Sequence, residues 1–155
     1  MTPEAPVPGL EPAFTVEALL GPLEDHGTTR AGHRRVVPIA GGRVSGLFEA
    51  EILPGGADWQ LVRPDGAVEI DTRYSARTAG GQYVHLRTAG VRSGPPAVLA
   101  SLLRGEPVDP SLYYFRVSVH LETSAPGLAS LERSLFIASA VRGADTVSYT
   151  AYRVT

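Results

Sequence analysis

Residues 67–78 alternate without a break: Val68, Ile70, Thr72, Tyr74 and Ala76 fall on one face, Glu69, Asp71, Arg73, Ser75 and Arg77 on the other. A period of two belongs to a β-strand with one buried face. Gly80-Gly81 follows, and residues 82–88 return the chain, so the two segments read as a long antiparallel hairpin. The same punctuation recurs along the chain. Strand-like stretches cover 14–20, 34–39, 43–53, 59–63, 113–123, 135–141 and 146–154, with Gly41-Gly42, Pro64-Asp65-Gly66 and Gly143-Ala144-Asp145 as turns and 21–33 as a loop. Only residues 95–104 read otherwise. Pro95 and Pro96 open them and Gly105 closes them, which is the pattern of a short helix. Eight or nine strands and one helix predict an all-β chain, and a single antiparallel β-barrel is the favoured form. An open two-sheet sandwich is the alternative.

The organisation is simple. Pro3, Pro6, Pro8 and Pro12 make residues 1–13 an expected flexible leader. Residues 14–155 form one domain, without internal repeat. All 14 basic residues are Arg, and Lys, Asn and Cys are absent. Disulfides, thiolate nucleophiles, Cys-ligated zinc and lysine Schiff bases are thereby excluded. Any anion must be held by Arg, His or backbone N–H groups. A net charge of −2 leaves no basic field for nucleic acid. The apolar run at 95–103 is too short to span a bilayer, so no membrane partner and a cytoplasmic location are expected.

Six landmarks follow one another in the chain: Gly41-Gly42-x-x-x-Gly46; Leu53-Pro54-Gly55-Gly56-Ala57-Asp58-Trp59; Asp71-Thr72-Arg73-Tyr74; Tyr113-Tyr114-Phe115-Arg116; Glu122-Thr123; and Leu131-Glu132-Arg133-Ser134-Leu135-Phe136. In this order the sequence resembles the DUF3237 family, also called UPF0311, from about Phe14 to the C-terminus. The resemblance implies a compact antiparallel β-barrel in the style of allene-oxide-cyclase or lipocalin-like barrels. It implies no particular activity. The chain departs from the family pattern at Ser130-Leu131-Glu132, where relatives usually carry Trp-Leu-Asn, a change expected to alter a pocket wall. It departs again at Thr78-Ala79-Gly80-Gly81, where an acidic residue is usual after the Thr.

Several polar residues are candidates for a site. Asp58 and Trp59 follow two glycines, which place them at a barrel mouth as acid/base and stacking wall, or as a turn cap and an end plug. The stripe Tyr114, Arg116, Ser118, His120, Glu122 alternates with the apolar Tyr113, Phe115, Val117, Val119, Leu121. Asp71, Arg73 and Tyr74 mix charges with an aromatic, as a ligand pocket does. The competing reading of these stripes is a solvated outer face of weak ion pairs. The expected catalytic set is Asp58, Glu122 and Arg116, with Arg116 in the lumen flanked by Tyr114 and Trp59. The expected ligand contacts are Trp59, Asp71, Arg73, Tyr74, Tyr114 and His120. His85 and His120 could share a metal only if Asp58, Asp71 or Glu122 completed the set, so neither metal nor cofactor is expected. The leading functional expectation is a cofactor-free isomerase, cyclase or lyase acting on a carbonyl-bearing or aromatic metabolite, with a carboxylate moving the proton and Arg holding the charge. The rivals are a non-catalytic carrier or sensor, and an oligomeric structural protein joined through strand edges and Trp59.

Overall fold

The computed structural model describes residues 1–155. Its strands are β1 (Leu10–Leu20), β2 (Glu24–Thr29), β3 (Gly32–Gly46), β4 (Ala50–Ile52), β5 (Gly56–Val62), β6 (Val68–Thr78), β7 (Tyr83–Ser93), β8 (Tyr114–Thr123), β9 (Phe136–Arg142) and β10 (Thr146–Val154). One helix, α1 (Pro96–Leu103), joins β7 to β8. All pairings are antiparallel. The circuit runs β1-β10-β9-β8-β7-β6-β5-β3 and closes because β3 also pairs with β1. This is the expected barrel. Eight strands close it, β4 occupies the slot between β3 and β6 beyond β5, and β2 pairs only with the start of β3.

The alternation seen in the sequence decides which side faces in. Val68, Ile70, Thr72, Tyr74 and Ala76 of β6 are buried, as are Phe115, Val117, Val119 and Leu121 of β8. An eight-stranded barrel is just wide enough for its side chains to fill or for one small ligand to share the space, and here the hydrophobic core lies in the lumen.

Four local expectations are corrected. The strand expected from residue 14 starts at Leu10, where Leu10–Pro12 pair with Val154–Tyr152 and Ala13 is buried. Pro12 is tolerated because the ladder shifts register between Pro12 and Phe14. The loop expected at 21–33 contains β2, hairpinned onto β3. Gly41-Gly42 is not a turn, since β3 runs straight through it. Gly42 has φ +131°, and a Cβ there would overlap the Glu17 carbonyl of β1, so the glycine allows barrel closure rather than chain reversal. Finally, β7 continues past Thr88 to Ser93 because Gly90 lies against the Arg116 carbonyl of β8 with no room for a Cβ.

The two ends of the barrel are built differently. At one end Phe14 stacks obliquely on Phe48 and Phe136, with ring centroids 5.4 and 5.5 Å apart, over Val44, Val84, Val119 and Leu131. At the other end α1 lies against the rim with Leu102 buried. Gly105 (φ +75°) stops that helix, its N–H donating to the Leu102 carbonyl while the Glu106 N–H donates to the Ser101 carbonyl. That double bond is the Schellman stop.

Candidate functional site

Three inward-facing runs end in arginine at the α1 end of the barrel. On β7 the run is Val84, Leu86, Thr88, Gly90, Arg92; on β9 it is Phe136, Ala138, Ala140, Arg142; β3 begins its run with Arg35, Val37, Ile39. Arg35 and Arg92 are more than nine-tenths buried. None of the three makes a salt bridge, and the Nε atoms of Arg35 and Arg92 have no hydrogen-bond partner. Burial lowers the affinity of all three guanidinium groups for their proton, Arg92 to about 10 with Arg142 adding repulsion. All three remain cationic at neutral pH. Arg92 also lies over the Phe115 ring, 5.3 Å from its centroid.

One carboxyl faces them. The Pro54-Gly55 break, with Gly55 at φ +112°, separates β4 from β5, and Gly56 then packs so tightly on β6 that a Cβ would strike Tyr74. This close approach sets Asp58 opposite Thr72 and inside the barrel. The β5–β6 ladder is interrupted between Asp58–Thr72 and Leu61–Glu69. There the Asp71 N–H donates to Asp58 Oδ1 at 3.1 Å, and Gln60 Nε2 donates to Oδ2 at 2.9 Å. Desolvation raises the Asp58 pKa above the ordinary 3.8; the hydrogen bonds from Gln60 and Asp71 and the charge of Arg92 oppose that rise without cancelling it. The opposite wall of the lumen supplies Tyr149, whose hydroxyl lies 2.6 Å from that of Tyr74.

Asp58, Gln60, Tyr74, Tyr149, Arg92 and Arg142 surround one cavity, walled otherwise by aliphatic residues such as Leu20, Ile39, Ile70 and Val117. Its free volume is about 40 Å³, room for a few waters or the polar head of a ligand. Arg92 also lines a neighbouring cleft of about 220 Å³ under α1, between Val62 and Val68 on the barrel and Leu99 and Leu103 on the helix. Arg35 lines the same cleft. Apolar walls with a few converging polar groups are what a small-molecule site requires.

The structure divides the expected residues into two groups. Asp58 and Tyr74 line the cavity. Arg116, Tyr114 and Trp59, expected together in the lumen, stand on the outer face. Arg116 lies over the Tyr114 ring at 5.0 Å and donates to the Phe115 carbonyl at 3.1 Å. Trp59 is 40% exposed and shares an outer groove with Arg73 and His85. Asp71 is on that outer side too, its Oδ1 3.7 Å from Arg87 Nε and 4.0 Å from Arg73 Nε. His120 and Glu122 are exposed on β8. On β6 and β8 the reason is the same, the charged stripe facing water and the apolar stripe filling the barrel, whereas β5 turns Asp58 and Gln60 inward and Trp59 outward. Asp58 is inside and His85 and His120 are outside, so the three cannot share a metal. Ser130-Leu131-Glu132 also lies away from the cavity, with Leu131 in the phenylalanine-lined core and its two neighbours exposed. The sequence reading missed Arg35, Arg92, Arg142, Gln60 and Tyr149. The signal for Arg92 and Arg142 was present, because each continues an inward apolar phase by one more step of two.

The family model for "Protein of unknown function (DUF3237)" matches residues 8–154. The chain belongs to the DUF3237 family. A UPF0311 protein of Bradyrhizobium diazoefficiens is 40% identical over 141 residues, covering 91% of this chain and 93% of the relative. Among solved structures, a conserved protein of unknown function from Rhodopseudomonas palustris superposes with a TM-score of 0.91 at 37% identity, over 98% of this chain and 100% of that one. A β-barrel-like protein from Acinetobacter baumannii gives 0.84 at 38% identity, over 98% and 99%. An enzyme from Penicillium herquei shares the fold with a TM-score of 0.73 at 15% identity over the whole of both chains, a likeness of architecture alone. The DUF3237 barrel is thus common to distant sequences, and the cavity residues have to carry the argument about function.

Proposed function

We propose that this DUF3237 protein binds a small anionic, carbonyl-bearing metabolite at the arginine end of its lumen and acts on it as a cofactor-free isomerase, cyclase or lyase, with Asp58 moving the proton. The observation that supports this reading is a buried Arg92 and a half-buried Arg142, neither in an ion pair, lining one cavity with the buried Asp58 carboxyl, with the buried Arg35 in the adjoining cleft. Even with Asp58 ionised the cavity lining carries one surplus positive charge, Arg92 and Arg142 against one carboxylate. Burying such charges is costly unless a counter-charge arrives. An anionic ligand supplies it.

The chemistry follows from the groups present. The Asp58 carboxylate, made more basic by burial, takes a proton from a carbon beside the ligand carbonyl. The electron pair left behind moves onto the carbonyl oxygen as an enolate. Return of the proton to a different carbon completes an isomerisation, and expulsion of a leaving group completes a lyase reaction. Proton transfer of this kind typically contributes roughly 10²–10⁴-fold. A carrier with the same pocket is the second reading. It is favoured by the two internal donors that already occupy the Asp58 oxygens.

Native mass spectrometry of protein purified from its own host separates the two readings. A co-purifying anion that is converted on incubation, and not converted by Asp58→Asn, supports the enzyme. The same anion released unchanged supports the carrier. Wild-type protein that binds no anion at all refutes both.

A further inference from the structure

Tyr74 and Tyr149 stand on β6 and β10, which are four places apart in the eight-strand circuit. Their side chains therefore meet across the full width of the lumen. Both are buried, and both line the cavity that holds Asp58. Their hydroxyl oxygens are 2.6 Å apart, and neither hydroxyl has another hydrogen-bond partner. Burial raises the pKa of both phenols, so each keeps its proton at neutral pH. Two protons are present where a single O–H···O contact uses one. The second O–H has no acceptor in the protein, and a buried donor left without an acceptor is destabilising.

We infer that the Tyr74–Tyr149 pair is an oxyanion-binding element whose spare hydroxyl donates to a carbonyl or phenolic oxygen of the ligand. This rests on the reading of the lumen as a binding site and narrows the ligand class. On the β5–β6–β7 wall the order from the rim inward is Arg92 beside Val68, then Asp58 with Thr72 and Thr88, then Tyr74 beside Leu86. A compound with a permanent acidic group at one end and an enolisable ketone or a phenol at the other matches that order. The acid group meets the arginines, the ketone or phenol oxygen meets the tyrosines, and the carbon between them meets Asp58. The donor that accepts a hydrogen bond from its partner is polarised by it, so the pair is a stronger donor than one tyrosine alone.

The test uses 4-nitrophenol, whose phenolate absorbs visible light, at a pH where the free probe is mostly neutral. Wild-type protein is expected to bind it as the phenolate, with a rise in visible absorbance. Tyr74→Phe, Tyr149→Phe and the double variant are each expected to weaken phenolate binding by about 10-fold or more, the range for a hydrogen bond to a charged group. The double variant leaves no orphaned hydroxyl, so it separates loss of the donor from loss of folding, which far-ultraviolet circular dichroism checks. If Tyr variants bind phenolate as tightly as wild type while Arg92→Met loses it, the oxygen sits on the arginines and the pair is only a brace across the barrel. If wild-type protein neither binds nor ionises the probe, the lumen reading fails and this inference fails with it.

Discussion

The two ends of the barrel hold side chains of similar bulk and opposite chemistry. One is closed by Phe14, Phe48 and Phe136 with branched aliphatics; the other buries Arg35, Arg92 and Asp58 and half-buries Arg142. Removing an aromatic ring from water stabilises the fold, by about 25 cal/mol for each Å² of apolar surface. Removing a guanidinium group without a partner does the reverse. Stability alone would favour aromatic residues at both ends. The arginine end is therefore the part of the molecule whose composition calls for a reason other than folding, and perturbed ionisable groups in a cavity are where such reasons concentrate.

Substitutions at the two ends can break or sharpen this contrast. The largest effect is expected from Phe14→Ala or Phe136→Ala, each leaving a cavity in the aromatic cluster. A loss of about 3–5 kcal/mol in urea denaturation is expected for either one. A loss below 1 kcal/mol would mean that the closed end is not the stabilising half.

Arg92→Met comes next. It keeps most of the volume and removes a buried charge, so stability should hold or rise while anion binding falls by about 1.5–3 kcal/mol, read by calorimetric titration. Unfolding without a change in binding would make Arg92 a structural residue and erase the distinction between the ends.

Asp58→Asn is expected to alter the pH dependence more than the stability itself. Burial puts the folded pKa of Asp58 above its ordinary 3.8, so between those values the native state holds a proton that the unfolded state has lost. Its contribution to stability is complete below 3.8 and disappears as pH rises through the higher folded value. Melting temperatures across the acid range should show that downward slope in wild type and a flatter one in Asp58→Asn. Identical slopes would place the carboxyl in contact with solvent.

The smallest effect is expected from Arg116→Met on the outer face, within about 0.5 kcal/mol in stability and with anion binding unchanged. A binding loss as large as that of Arg92→Met would return the anion site to the outer stripe.

Much of this architecture was legible in the sequence. The unbroken period of two in β6, and the Tyr113–Leu121 alternation along β8, identify both the strands and their buried faces, because side-chain direction in a strand is fixed by parity. Proline and glycine marked α1 because a helix needs no N–H at its start and a positive φ at its end. The Asp58 motif was legible for the same local reason, since Gly55 and Gly56 announce an unusual backbone. What parity cannot say is whether a strand's polar face or its apolar face encloses a cavity. The stripe from Tyr114 to Glu122 is rich in chemistry and faces water; Arg92 sits in a glycine-flanked tail of β7 that reads locally as loop. The sequence by itself determined the all-β class, the membership in DUF3237 and the two alternating side-chain sets of each strand, one of which faces inward. Only closure of the circuit, through β3 on β1, decided that those inward sets converge, that arginines 92, 142 and 35 share one end, and that Tyr74 meets Tyr149. The Tyr74–Tyr149 contact joins residues 75 positions apart, and no local pattern encodes a distance of that kind.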